Sequence, residues 1–123
     1  MPQGTEPLAR EAQEATKTIL VVEDDLAIAS FLVAAIEQET PYRAIMATDS
    51  HAALELVRHF IPNLLLLDYR LPGMNGIELY DHLKEVAPIP AILMTASRQL
   101  ITFRKPFELD VFLATIETLL TSP

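Results

Sequence analysis

Residues 63–68 of the chain read Asn-Leu-Leu-Leu-Leu-Asp, and these four leucines form an uninterrupted apolar run that ends at an acidic residue. Four consecutive leucines are too few for an ordinary helix, and they show no alternation of apolar and polar positions. An uninterrupted apolar run of this length is typical of a strand inside a parallel sheet, where helices cover both faces. Residues 63–67 therefore predict a central strand, with Asp68 at its carboxyl end.

Strands and helices are predicted to alternate on both sides of this central strand, and the loops between them carry Pro, Gly, Asn and Asp. The other predicted strands are Thr18–Val22, Arg43–Ala47, Ala91–Met94 and Ile101–Arg104. Predicted helices follow Asp25, follow Asp49 or Ser50, run from Ile77 to Val86, and run from Glu108 to Leu120. Periodic spacing in the first helix predicts a buried face made of Ile28, Phe31, Leu32, Ala35 and Ile36. The pattern predicts one α/β domain over residues 17–123, preceded by a polar tail, residues 1–16, in which Leu8–Ala15 could form a short helix.

Composition limits the classes of function that need to be considered. The chain has 123 residues, half of them apolar, which suits one globular core. It has 17 acidic and 9 basic residues, a formal charge of -8, and no cysteine. This balance argues against direct DNA binding, and the lack of cysteine excludes thiol chemistry. No apolar run reaches the length of a membrane helix and the first residues do not resemble a signal peptide, so a cytoplasmic protein is expected.

Polar side chains stand at the carboxyl ends of four predicted strands. They are Glu23 and Asp24 after the first strand, Asp68 after the third, Thr95 after the fourth and Lys105 after the fifth. Parallel strands present their carboxyl ends at one edge of the sheet, so we expect these five side chains to converge. Three neighbouring carboxylates repel one another, and a hard cation with oxygen ligands, Mg²⁺ or Mn²⁺, relieves that repulsion.

This arrangement suits phosphoryl transfer to a carboxylate. Asp68 is the candidate nucleophile, Lys105 the candidate ammonium group and Thr95 the candidate hydroxyl donor to the transferred oxygens. Taken singly, Asp24 and Asp25 are better explained as helix caps and Lys105 as a solvated surface lysine, so it is the ordered set of residues that carries the hypothesis. The three histidines, His51, His59 and His82, lie on predicted helices and are interpreted as structural residues.

Four segments together resemble the receiver domains of two-component response regulators. They are VVEDD at 21–25, LLLLDYRLPGMNGIEL at 64–79, MTA at 94–96 and KPF at 105–107. The resemblance, over about Lys17–Leu120, implies a flavodoxin-like doubly wound sheet of strand order 2-1-3-4-5. It also implies that Asp68 is the phosphoacceptor, Thr95 the switch hydroxyl and Lys105 the phosphate-binding lysine. The implied metal ligands are Asp24 directly, Glu23 through water, Asp68, and the backbone carbonyl of Arg70.

The segment between Thr95 and Lys105 departs from this family. Only nine residues separate them, whereas receivers place roughly twenty there, enough for a crossover helix and a strand. The family's fourth helix is therefore expected to be missing or replaced by a short link. Three chain paths remain open. The link could descend in extended form, a hairpin could make the fifth strand antiparallel, or the fifth strand and last helix could be exchanged with another molecule.

Loss of that helix should expose apolar sheet surface, which predicts a homodimer through this face or coverage by Leu8–Ala15. The family's aromatic switch position is Thr102 here, which departs from the aromatic residue that the family's conventional switch uses. Arg104, at a position that is normally small or apolar in the family, has no explanation.

Two functions from different classes fit the sequence. The first is a phosphoacceptor that takes its phosphoryl group from a histidine kinase or histidine phosphotransferase, and that signals to a downstream protein without being an enzyme itself. The second is a receiver-like interaction module that works without phosphorylation. A nucleotide or flavin binder is excluded, because no glycine-rich phosphate loop follows the first strand. No attached output domain is expected after Leu120.

Overall fold

The computed structural model describes residues 16–94 and 109–121 of the chain. The strands in these ranges are β1 (Thr18–Val22), β2 (Arg43–Ala47), β3 (Leu64–Asp68) and β4 (Ala91–Met94). The helices are α1 (Leu26–Glu39), α2 (Ser50–His59), α3 (Gly76–Val86) and α4 (Leu109–Thr121). The four strands form one parallel sheet of order β2-β1-β3-β4. The predicted flavodoxin-like fold class is confirmed. The predicted order of the first four strands, 2-1-3-4, is confirmed as well. The predicted fifth strand and the helix at Leu8–Ala15 lie outside the described residues.

Strand β3 occupies the centre that its leucines predict. It pairs in parallel with β1 on one side, where Leu67 faces Val22, and with β4 on the other, where Asp68 faces Met94. All four leucines have no exposed surface. Because alternate side chains of a strand point to opposite faces, these leucines supply both hydrophobic cores of the domain.

Helices cover both faces of the sheet, as a doubly wound fold requires. On one face, α1 and α4 pack over Leu64 and Leu66. On the other face, α2 and α3 pack over Leu65 and Leu67. No helix in the two described ranges is long and apolar enough to cross a membrane.

Side-chain caps fix where three of the helices begin. Asp25 accepts hydrogen bonds from the amides of Ala27 and Ile28 at the start of α1, and Asp49 caps α2. Asn75 and Glu78 form a reciprocal capping box at the start of α3. Such caps satisfy backbone donors that the first helical turn leaves without partners.

The buried face of α1 differs in part from its prediction. Leu32, Ala35 and Ile36 are buried as expected, but Ala29 is buried and Phe31 is 54% exposed. Residues 26–36 contain no charged side chain, so periodicity alone could not distinguish the two sides of this helix. The prediction for Phe31 was wrong for that reason.

The last helix packs on the sheet of its own chain. Ile116 and Leu120 are buried in the same core as α1. Tyr42 donates a hydrogen bond to Glu117 at 3.1 Å, and the Lys17 ammonium donates to the Leu120 carbonyl. These contacts place the end of α4 near the beginning of the strands. The three predicted chain paths between Thr95 and Lys105 lie outside the described residues.

Candidate functional site

Two acidic residues meet at the carboxyl edge of the sheet because β1 and β3 are parallel and in register. Glu23 directly follows β1, and Asp68 is the last residue of β3. Asp24 is the next residue along the chain. One carboxylate oxygen from each of these three residues lies within 4.8 Å of the others. Glu23 is 1% exposed and Asp68 4% exposed, whereas Asp24 faces solvent.

Backbone hydrogen bonds hold the Glu23 side of this cluster. The Glu23 amide donates to the Ala47 carbonyl at 3.1 Å, which anchors it to the end of β2. The Glu23 carboxylate accepts from the Asp25 amide, also at 3.1 Å. Because Asp25 in turn caps α1, the buried carboxylate is tied to the start of that helix. Asp25 therefore serves as a cap, and Glu23 and Asp24 form the cluster.

The loop after β3 is folded back toward Asp68. The Arg70 amide donates to Asp68 Oδ1 at 3.3 Å, and the Tyr69 amide donates to the Met94 carbonyl at 2.8 Å. The Tyr69 carbonyl accepts from the Gly76 amide at 2.7 Å. The backbone of Arg70 is thus held beside the Asp68 carboxylate. The metal-ligand role that the family resemblance implies for the Arg70 carbonyl stays a prediction.

Gly76 is a contributor that sequence reasoning missed, because an Asn-Gly pair between a strand and a helix is fully explained as an ordinary turn. A Cβ atom at this position would lie 2.5 Å from the Asp68 carbonyl oxygen and 2.7 Å from Leu93 Cδ1. Glycine therefore allows the start of α3 to approach the residue that carries the central carboxylate. The signal in the sequence was a glycine at the start of a helix, because alanine has a higher helix propensity than glycine.

Three of the predicted site residues are brought together, and two others cannot be placed. Glu23, Asp24 and Asp68 converge as their strand positions predict. Thr95 and Lys105 lie outside the described residues, so their roles stay predictions.

The chemistry of the cluster suits a hard divalent cation. It offers only carboxylate oxygens, the ligand type that Mg²⁺ and Mn²⁺ prefer, and their close approach is unfavourable without a counterion. Within the described ranges, this is the one group of at least three His, Cys, Asp or Glu residues whose ligand atoms could share a metal ion. The residues present therefore fit Mg²⁺ or Mn²⁺.

Comparison with known proteins gives a family match over most of the chain. The model of the response regulator receiver domain family matches residues 19–114. Over 78 residues, the chain is 40% identical to the DNA-binding response regulator MtrA of Mycobacterium tuberculosis, covering 63% of this chain and 34% of MtrA. Over 83 residues it is 37% identical to the phosphate regulon transcriptional regulatory protein PhoB of Pseudomonas aeruginosa, covering 65% of this chain and 36% of PhoB. The chain thus matches about a third of the length of these relatives.

Solved structures agree with the fold. A CheY-like response regulator receiver domain protein from Methanospirillum hungatei superposes with a TM-score of 0.78 at 27% identity, covering 86% of this chain and 94% of that one. The receiver domain of Francisella response regulator 1452 gives a TM-score of 0.77 at 24% identity, covering 85% and 97%. At 24% identity, the match to the Francisella domain indicates a shared fold and nothing more.

Proposed function

Since the chain belongs to the family of response regulator receiver domains, we propose that it accepts a phosphoryl group on Asp68 within a two-component phosphorelay. The observation that carries this proposal is the position of Asp68. Its carboxylate lies at the carboxyl edge of the central strand, 4% exposed, and within 4.8 Å of the Glu23 and Asp24 oxygens. A cluster of carboxyl groups at the carboxyl edge of a parallel sheet is typical of sites that bind a cation or carry out a reaction.

In the proposed reaction, an Asp68 carboxylate oxygen attacks the phosphorus of a phosphohistidine. The new oxygen–phosphorus bond forms as the nitrogen–phosphorus bond breaks, and the donor imidazole leaves with its bonding electron pair and takes up a proton. Glu23, Asp24, Asp68 and the Arg70 carbonyl would hold Mg²⁺ or Mn²⁺, which supplies neutralisation of the phosphoryl oxygens. Thr95 is proposed to donate its hydroxyl hydrogen to a phosphoryl oxygen, and Lys105 to pair with another.

The proposed partners follow from this chemistry. A histidine kinase or histidine phosphotransferase supplies the phosphoryl group, and a downstream protein reads the modified domain. The chain acts as an acceptor rather than as an enzyme with turnover, and we place it in the cytoplasm. MtrA is named as a DNA-binding response regulator, but the chain matches only 34% of its length. The net charge of -8 on this chain argues against direct binding to nucleic acid.

The decisive experiment compares wild type with Asp68→Asn. Both are incubated with Mg²⁺ and a small phosphodonor, and intact-protein mass spectrometry measures the addition of one phosphoryl group. We expect the adduct in wild type and none in Asp68→Asn. Asp81→Asn is the matched control, because the Asp81 side chain is 58% exposed on α3. This variant should be phosphorylated like wild type. Equal labelling of Asp68→Asn and wild type would overturn the assignment of Asp68.

The second candidate function is a receiver-like interaction module that works without phosphorylation. The nine residues between Thr95 and Lys105 favour it, because the family's crossover helix takes part in conventional output and cannot be accommodated in this length. In that case adding beryllium fluoride, a phosphoryl mimic, to protein that already contains Mg²⁺ leaves the NMR spectrum of the wild type unchanged. Shifts that disappear in Asp68→Asn would support the phosphoacceptor instead.

A further inference from the structure

Two consecutive apolar side chains are exposed where the chain passes from α2 to β3. Phe60 is 45% exposed and Ile61 is 47% exposed. Among the large apolar residues that are exposed in the described parts of the chain, these two are the one pair adjacent in sequence. They lie at the amino edge of the sheet, opposite the acidic cluster, because β3 begins only at Leu64. Single exposed apolar residues are ordinary, whereas adjoining ones indicate a contact surface. We call Phe60 and Ile61 the amino-edge patch.

The first residues of the chain leave the sheet beside this patch. The Asn63 amide donates a hydrogen bond to the Thr18 carbonyl at 2.8 Å, and the Asn63 side-chain oxygen accepts from the Thr18 amide at 2.9 Å. Strands β1 and β3 are parallel, and their register, continued toward the amino edge, places Thr16 beside Ile61. Residues 1–15 therefore start at the amino-edge patch and need no spacer to reach it.

Residues 8–15 have the composition of a segment that packs on such a patch. In a helix over these residues, the apolar side chains at spacing i, i+4 and i+7 share one side, and they are Leu8, Ala12 and Ala15. Glu11 borders this side, and Glu14 lies one turn after Glu11. A helix of only eight residues is marginal in water and gains its stability from packing. The segment thus needs an apolar surface, and the amino-edge patch is adjacent to it.

The charges around the patch complement those of the segment. Arg58 and His59, in the last turn of α2, directly precede Phe60, and their side chains are 63% and 74% exposed. Arg58 pairs with Glu55 at 3.3 Å, but a guanidinium group has five N–H donors and can bind a second carboxylate. Residues 1–15 contain three glutamates and one arginine. An acidic segment therefore meets a basic part of a chain that is acidic as a whole.

We propose that residues 8–15 dock on the amino-edge patch of their own chain, with Leu8 and the alanines against Phe60 and Ile61 and the glutamates toward Arg58. The tether at Thr16 makes the contact intramolecular, which raises the effective concentration of the segment at the patch. Exposed ion pairs contribute little, so the apolar contact supplies most of the stabilisation. The docked segment lies at the edge opposite Asp68 and does not depend on phosphoryl transfer.

Limited trypsin digestion of the full chain tests the docking, because Arg10 is the only Lys or Arg within residues 1–15. Cleavage follows the population of the undocked segment, and intact-protein mass spectrometry measures the loss of residues 1–10. We expect Phe60→Ser to speed this cleavage several-fold. Phe31→Ser is the matched control, because Phe31 is also an exposed aromatic residue, 54% exposed on α1. It should be cleaved like wild type. Equal rates in Phe60→Ser and wild type would overturn the proposal.

A spin label tests the position of the segment directly. The chain has no cysteine, so Ala9→Cys provides a single attachment site for a nitroxide. The label should broaden the NMR amide signals of residues 58–61 and leave that of Phe31 sharp. No broadening at residues 58–61 would contradict the docking.

A mixture of spin-labelled protein with unlabelled, ¹⁵N-enriched protein identifies which molecule supplies the segment. Sharp signals in the mixture are expected, since the contact forms within one chain. Broadening at residues 58–61 in the mixture would show that a second copy supplies the segment and would overturn the intramolecular arrangement. Asp68→Asn should keep the broadening seen within one chain, so a failure of the phosphoacceptor proposal would leave this result unchanged.

Discussion

At the scale of single residues, the junction between β3 and α3 depends on Gly76. An added Cβ would meet the Asp68 carbonyl oxygen at 2.5 Å and Leu93 Cδ1 at 2.7 Å, and the carbonyl belongs to backbone that cannot rotate away. We expect Gly76→Ala to lower the free energy of unfolding by roughly 2 kcal/mol, as overpacking in a close contact does. Urea denaturation followed by circular dichroism measures the change. The loss would occur although alanine is preferred to glycine within helices by about 1 kcal/mol.

Gly73→Ala provides the control for this experiment. Gly73 has a φ of +92°, so alanine there is strained, but the nearest atom to its Cβ would be Ser50 Oγ at 3.8 Å. Backbone strain without a collision should cost about 1 kcal/mol. A Gly76→Ala variant as stable as wild type would show that α3 can move away from Asp68 at little cost.

At the scale of elements, Tyr42 joins the start of β2 to α4. Burial of its ring raises the pKa of Tyr42 above the usual 10.0, and the hydrogen bond to Glu117 and the negative charge of Glu117 raise it further. The neutral phenol is thus favoured in the folded state. Its contribution to stability is complete below pH 10 and is lost as the pH rises through the folded pKa, because the unfolded chain ionises first.

Tyr42→Phe tests this contribution. At pH 7 it should lower the free energy of unfolding by about 1 kcal/mol through loss of the hydrogen bond. Between pH 9 and 11, denaturant titrations should show a smaller loss of stability in Tyr42→Phe than in wild type. All other ionising groups are common to both proteins, so the difference in slope isolates Tyr42. Equal slopes in the two proteins would contradict the assignment, and Glu117→Gln should give an intermediate slope.

The elements also show how far sequence patterns determine this fold. The bounds of β1, β2 and β4 match their predictions, because each is a short apolar run ended by acidic residues, turn residues or a change of pattern. Strand β3 spans Leu64–Asp68 instead of the predicted 63–67. Asn63, just before it, contacts β1 through both backbone and side chain: its amide donates to the Thr18 carbonyl, and its side-chain oxygen accepts from the Thr18 amide. Tertiary contacts of this kind are not visible in a local pattern.

The candidate site was predictable to the extent that it follows from strand order. Glu23, Asp24 and Asp68 end adjacent parallel strands, so their convergence follows from topology alone. Gly76 was missed because its importance arises from a contact with the backbone of a different element. Phe31 was misplaced because α1 is apolar on all sides and burial there is decided by packing.

At the scale of the whole molecule, we expect the acidic cluster to couple ion binding to folding, because its carboxylates come together only in the folded chain. An ion that binds only the folded state stabilises it by about 2.7 kcal/mol when its concentration is a hundred times the dissociation constant. For a domain of this size, that corresponds to a rise of roughly 10 °C in melting temperature. We therefore expect Mg²⁺ to raise the melting temperature of wild type in a saturable manner, and removal of Mg²⁺ with a chelator to reverse the rise.

Stabilisation by Mg²⁺ bound at the cluster must be distinguished from stabilisation by charge screening. The chain carries a charge of -8, and any salt reduces its self-repulsion. Sodium chloride at matched ionic strength gives the screening contribution alone, which should be smaller and should not saturate at low concentration. Asp24→Asn removes one carboxylate of the cluster and leaves the Asp25 cap of α1 in place, so it should retain the sodium chloride effect and lose most of the Mg²⁺ effect. If Mg²⁺ stabilises Asp24→Asn as much as wild type, the ion acts elsewhere on the acidic surface and the cluster is not its site.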